Sequence, residues 1–215
     1  MDIKWILFDL GNTLYDETLS DRERVYKLIH NNNLDISVDE FIEQMKVEAK
    51  NYAESPFTAA RKHYGIRVNQ EYSCEKEMLF EGVSSVLEKL SERYHLGVLA
   101  NQPVSTLDRL KHDGIYTYFD VCLLSDCVNM QKPDISFFEY ALERIQCDSQ
   151  KVTMVGDRLD NDIMPAKKTG MKTVRIRQGL NAVQEPFNNT YIPDYEVYSV
   201  QELFRLLGSI NDDVF

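Results

Sequence analysis

Two short apolar runs, Ile6-Leu7-Phe8 and Val152-Thr153-Met154-Val155-Gly156, each lead directly into an aspartate, Asp9 and Asp157. Runs without polar alternation suit parallel strands covered on both faces, and the carboxyl ends of such strands open into the binding crevice of α/β sheets. From about Gly82 onward, strand-like and helix-period segments alternate, as βαβ units require. Val83, Val86, Leu87 and Leu90 recur at i, i+3, i+4 and i+7, which predicts an amphipathic helix before a strand over His95 to Ala100. A second unit repeats the pattern: a helix through Leu107 and Leu110 stopping near Gly114, a strand at Val121-Cys122-Leu123-Leu124, and a helical stripe of Phe138, Ala141, Leu142 and Ile145 after Pro133. A helix from about Asp160 to Lys168, a strand from Thr173 to Ile176 and a last helix through Leu203, Phe204 and Leu207 continue the alternation. Ser199-Val200-Gln201-Glu202 has the spacing of a capping box for that last helix, and the tail from Asn211 to Phe215 is expected to fray.

Residues 16–78 interrupt this rhythm, because they hold helical stripes and no convincing strand. Val25, Leu28 and Ile29 mark one helix, and Ser37-Val38-Asp39-Glu40 caps a second through Phe41, Ile42 and Met45. Two further short helices are expected after Pro56. The predicted organisation is an α/β, Rossmann-like, doubly wound parallel core made of residues 1–15 and 79–215, with a small all-helical cap at 16–78.

Charge narrows the partners. The 24 basic and 35 acidic side chains give a net charge of −11, which repels nucleic acids and anionic membranes. With no basic leader and no run of 18 apolar residues, a cytoplasmic protein is expected, and neither the four cysteines nor the scattered histidines have metal-site spacing.

If the two strands are neighbours, Asp9, Asp157 and Asp162 meet at one sheet end, where three carboxylates repel unless a cation sits among them. Mg²⁺ suits such a place, since it accepts a few carboxylates plus water and substrate phosphate oxygens. Each acid also has a plainer reading: Asp9 as a turn residue, Asp157 and Asp162 as a helix cap and a first-turn acid.

Four blocks in order favour the chemical reading. Phe8-Asp9-Leu10-Gly11-Asn12-Thr13-Leu14, Leu99-Ala100-Asn101, Lys132-Pro133-Asp134 and Gly156-Asp157-Arg158-Leu159-Asp160-Asn161-Asp162 together resemble the sequence motifs of the haloacid dehalogenase-like hydrolases, mostly phosphatases that work through an aspartyl-phosphate. The resemblance implies Asp9 as nucleophile and Lys132 as the cation at the phosphate. It further implies Mg²⁺ held by Asp9, the Gly11 carbonyl, Asp157 and Asp162, and phosphate contacts from Gly11, Asn12, Asn101 and Lys132. The implied substrate is a small phosphorylated metabolite.

Two positions depart from the motif. Gly11 stands where the phosphatases carry a second Asp that protonates the leaving oxygen, and Ala100 stands where a phosphate-binding hydroxyl is usual. A missing general acid costs ~10²–10⁴ in rate, about 3–5 kcal/mol of barrier. Asp16, Glu17 or His63 could substitute, and Gly11→Asp is expected to raise turnover most for alkyl phosphates. Gly11 also keeps two alternatives open: a catalytically impaired metabolite-binding or interaction protein, and a phosphonate hydrolase, which would need a cap lysine such as Lys46, Lys50 or Lys62.

Overall fold

A computed structural model describes residues 2–209. The tail from Asn211 to Phe215 lies outside the described residues. A parallel sheet of six strands forms the centre, comprising β1 (Trp5–Phe8), β4 (His95–Ala100), β5 (Val121–Leu124), β6 (Val152–Gly156), β7 (Lys172–Ile176) and β8 (Tyr195–Val197). Their order is β5-β4-β1-β6-β7-β8. The chain thus winds outward from β1 first to one side and then to the other, and the crevice falls where those directions part. Phe8, the last residue of β1, pairs with Val98 on one side and Val155 on the other, and β4 and β6 continue past it to Ala100 and Gly156.

Alternation within β1 divides the core. Ile6 and Phe8 face one layer, where they pack with Val83 and Leu87 of α4 (Val83–Ser91), Leu110 of α5 (Thr106–His112) and Leu203 of α9 (Val200–Ser209). Leu7 faces the other, with Phe137, Phe138 and Ala141 of α7 (Ile135–Ile145) and Ala166 of α8 (Met164–Lys168). Both layers are buried, which is why β1 and β6 read as nearly continuous apolar runs.

Helices α1 (Thr18–Asn31), α2 (Val38–Lys50) and α3 (Pro56–His63) pack around a separate cluster of Val25, Leu28, Phe41, Met45, Phe57 and Ala60. Ser37 and Glu40 form the full capping box on α2. In the second expected box Ser199 does cap Glu202, but the Glu202 carboxylate accepts from the Tyr198 N–H instead. A two-stranded antiparallel ribbon, β2 (Tyr15–Asp16) with β3 (Met78–Leu79), carries the chain into and out of these helices.

The structure corrects several expectations. Only one helix follows Pro56 in this segment, because Gly65 takes a left-handed φ of 67° and the next residues lack an apolar helical period. That irregular stretch is held through its carbonyls instead, by Arg24 on Gln70 at 2.8 Å and by Arg61 on Val68. Strand β8 and the ribbon escape sequence reading because they are three and two residues long. The helix expected from Asp160 begins as a π turn over Leu159–Ile163 before α8, a form frequent at functional sites.

Candidate active site

Asp9 leaves the end of β1 with its N–H bonded to the Val155 carbonyl at 2.9 Å, so it is fixed to β6 as well. Asp157 follows β6 directly, and the π turn brings Asp162 back over the strand end. Gly156 makes room for it: a Cβ there would lie 2.3 Å from Asp162 Cγ. One oxygen from each of Asp9, Asp157 and Asp162 falls within 4.8 Å of the others.

Lys132 enters from the loop before α7 and is 3% exposed. Its ammonium donates to Asp9 Oδ1 and Asp162 Oδ1, both at 2.6 Å. Asn101, just past β4, holds that loop: its Nδ2 donates to the Lys132 carbonyl and its Oδ1 accepts from the Lys132 N–H, each at 2.8 Å. Asn101 therefore lines the cleft, but its amide is engaged with the Lys132 backbone. Asn12 turns at a left-handed φ of 52°, which Asn tolerates, and directs its Nδ2 to Glu17 Oε2 at 2.7 Å.

Charge is unevenly balanced in this pocket. Burial alone would pull the Lys132 ammonium down, yet Asp162 and Asp9 hold it above the usual lysine range. Burial, then Asp162 and Asp9, push the Asp157 carboxyl well up, and its one side-chain donor among the described residues is Asn181 Nδ2 at 2.9 Å. Burial also raises Asp162, against the pull of Lys132. One ammonium thus contacts two of the three carboxylates, and Asp157 has no ion-pair partner among the described residues. The donor set fits a hard divalent ion, which binds carboxylate oxygens.

Several residues that sequence reading passed over complete the wall. Arg175 is fully buried, and its guanidinium donates to the carbonyls of Asp157, Asn181 and Gln184 and to Glu196, pinning the 179–184 loop against Asp157. Arg158 donates to the carbonyls of Ala53 and Glu54 at 3.3 and 3.1 Å, Gln184 to that of Ala49 at 3.3 Å, and Tyr52 to that of Glu185. These bonds draw the helical segment over the strand ends.

The cleft holds about 410 Å³ and is lined by Asp9, Lys132 and Asp157 from the sheet side and by Glu17, Asp21, Arg24 and Phe57 from the helices. None of Lys46, Lys50 and Lys62 is among its lining residues.

A family profile described as haloacid dehalogenase-like hydrolase matches residues 6–176. The chain belongs to the haloacid dehalogenase-like hydrolases. This hydrolase is 30% identical to glyceraldehyde 3-phosphate phosphatase of Methanocaldococcus jannaschii, over 98% of its own length and all of that protein's. Among solved structures, a phosphatase of the same family from Thermococcus onnurineus is 28% identical, with a TM-score of 0.64 and coverage of 96% and 98% of the two chains. YfnB from Bacillus subtilis, crystallised with magnesium, shares the fold at 20% identity and a TM-score of 0.72 over 96% and 99% of the chains. No helix among the described residues of the hydrolase is long and apolar enough to cross a membrane.

The acidic cleft wall gives a stability test away from the cluster. Burial raises the Asp21 carboxyl from its ordinary 3.8 to about 6, partly offset by Arg24. A native-state value above the unfolded one means the folded chain binds the extra proton between these limits, so stability falls as pH rises across that window. Asp21→Asn removes this loss. Its melting temperature is expected to exceed that of wild type above pH ~6 and to converge on it below pH ~4; a gap independent of pH would contradict the assignment.

Proposed function

We propose that this hydrolase is a Mg²⁺-dependent phosphatase of small phosphorylated metabolites, working through an aspartyl-phosphate on Asp9. The observation that carries the reading is the convergence of Asp9, Asp157 and Asp162 within 4.8 Å around a buried lysine. The phosphatase names of its relatives agree with it, as does the magnesium in the YfnB crystal.

Bound Mg²⁺, held by Asp9, Asp157, Asp162 and the Gly11 carbonyl, would supply charge neutralisation at the phosphate. Asp9 presents a carboxylate oxygen to phosphorus, while its other oxygen stays within the acidic cluster. Lys132 brings a compact positive charge to both Asp9 and the phosphoryl oxygens. The backbone N–H groups around Gly11 and Asn12 serve as further donors, and Asn101 acts through Lys132, whose loop it fixes. Residues 16–78 serve as the cap over a core of 1–15 and 79–215, excluding water and meeting the leaving group. The cleft lining lacks the cap lysines that the phosphonate alternative requires.

Protein stripped with EDTA is expected to lose ~10²-fold or more of its 4-nitrophenyl phosphate hydrolysis and to regain it with Mg²⁺. Equal rates before and after stripping would refute the proposal. A panel of phosphorylated metabolites including glyceraldehyde 3-phosphate, ranked by kcat/KM with Mg²⁺ present, then identifies the substrate class.

A further inference from the structure

We propose that Glu17 is the general acid and base of the reaction, giving a proton to the departing oxygen and later taking one from the attacking water. The inference rests on Asp9 being the nucleophile. An alkoxide is a poor leaving group, so cleavage of an unactivated phosphate ester needs a proton donor in the cleft besides the groups that bind phosphate. Asp9 and Asp162 are paired with Lys132, and Asp157, within 4.8 Å of both, accepts from Asn181. Of the other groups named from the sequence, Asp16 accepts from the Thr18 N–H at 2.9 Å and His63 is absent from the cleft wall.

Glu17 sits differently. It comes directly after the ribbon strand β2, at the start of α1, and its side chain folds back over Gly11 into the cleft. A Cβ built on Gly11 would lie 2.2 Å from Glu17 Oε1 and 2.8 Å from its Cδ. The carboxyl group therefore occupies the space a side chain at position 11 would enter, two residues from Asp9. Asn12 Nδ2 holds Oε2 at 2.7 Å. No described residue donates to Oε1, which is left to face a ligand. Gly11 is thus the residue that leaves room for an acid delivered from the helical segment.

The steps balance. In the first, an Asp9 oxygen bonds to phosphorus, the ester P–O bond breaks, its electron pair goes to the leaving oxygen, and that oxygen takes the Glu17 proton. In the second, water bonds to phosphorus, its proton passes to Glu17, and the Asp9 O–P bond breaks with its electron pair returning to the Asp9 carboxylate. Phosphate leaves and the protonated Glu17 is restored.

The test compares wild type, Glu17→Gln, Glu17→Ala and Gly11→Asp/Glu17→Ala on 4-nitrophenyl, phenyl and benzyl phosphate with Mg²⁺, alongside acid-quenched intact-mass detection of phosphoenzyme. Glu17→Gln keeps the side-chain length and an oxygen for Asn12. It is expected to lose ~10²–10³-fold on benzyl phosphate and much less in the first step on 4-nitrophenyl phosphate. There the phosphoenzyme should accumulate, because its hydrolysis lacks a base. Gly11→Asp alone crowds the Glu17 carboxyl, so the gain expected of it from the sequence should not appear, whereas Gly11→Asp/Glu17→Ala moves the acid across and should regain ~10-fold or more over Glu17→Ala on benzyl phosphate. An equal loss on all three esters without phosphoenzyme, or no loss, overturns the role of Glu17 while Asp9 stands. Full turnover in Asp9→Asn overturns the nucleophile and Glu17 together.

Discussion

Asp9→Asn is expected to lower Mg²⁺-dependent turnover of 4-nitrophenyl phosphate by ~10³-fold or more, as loss of a covalent nucleophile does elsewhere. An amide oxygen is a weak nucleophile and cannot form the acyl phosphate, so no phosphorylated protein should be trapped by acid quench. The substitution keeps side-chain size, the backbone bond to Val155 and an oxygen that can accept from Lys132. Lost activity would then reflect chemistry, which a melting temperature near that of wild type would confirm. Residual turnover within ~10-fold of wild type would remove Asp9 from the mechanism. Wild type and variant alike inactive across the substrate panel would instead favour a metabolite-binding protein.

Lys132→Met is expected to damage both fold and activity. The ammonium makes two 2.6 Å contacts with Asp9 and Asp162, and Asp162 is 1% exposed. Removing the cation leaves buried like charges without a partner, which costs about 3–5 kcal/mol in comparable pairs. For a chain of this size that is a fall of roughly 6–20 °C in melting temperature without Mg²⁺. A divalent ion can fill part of the vacant charge, so Mg²⁺ should raise the melting temperature of the variant more than that of wild type. Turnover should stay low even then, because the phosphoryl oxygens have lost their lysine. A variant that melts within ~2 °C of wild type without Mg²⁺ would show that the three carboxylates do not depend on Lys132.

The parts of this site that could be read in the sequence are those that follow strands. The dry runs ending in Asp9 and Asp157 announce both the parallel sheet and its carboxyl edge, because a strand covered on both faces needs apolar residues at every position. Asp162 needs only its spacing from Gly156, and Lys132 needs only the ordered blocks. The residues that were not legible lie where tertiary contact overrides local pattern. Arg175 stands between the buried Val174 and Ile176 and resembles an outward polar position, yet the 179–184 loop folds over it and supplies carbonyls it bonds. Asn181 and Gln184 sit in that loop with no periodicity to mark them. Glu17 was one of three candidates of equal weight. What separates it is the path of its side chain over Gly11, and no spacing rule encodes that. Asn101 was legible as a cleft residue, but its two bonds to the Lys132 backbone were not.

The short ribbon of β2 and β3 has an evolutionary consequence. Tyr15 pairs with Leu79 and Asp16 with Met78, so the polypeptide departs and returns through neighbouring positions. Everything threaded between them can lengthen, shrink or be traded for another module without shifting the register of any central strand. Glu17 lies just inside these two rungs, so a foreign insert grafted there would leave the central sheet intact but would have to bring its own carboxyl over Gly11.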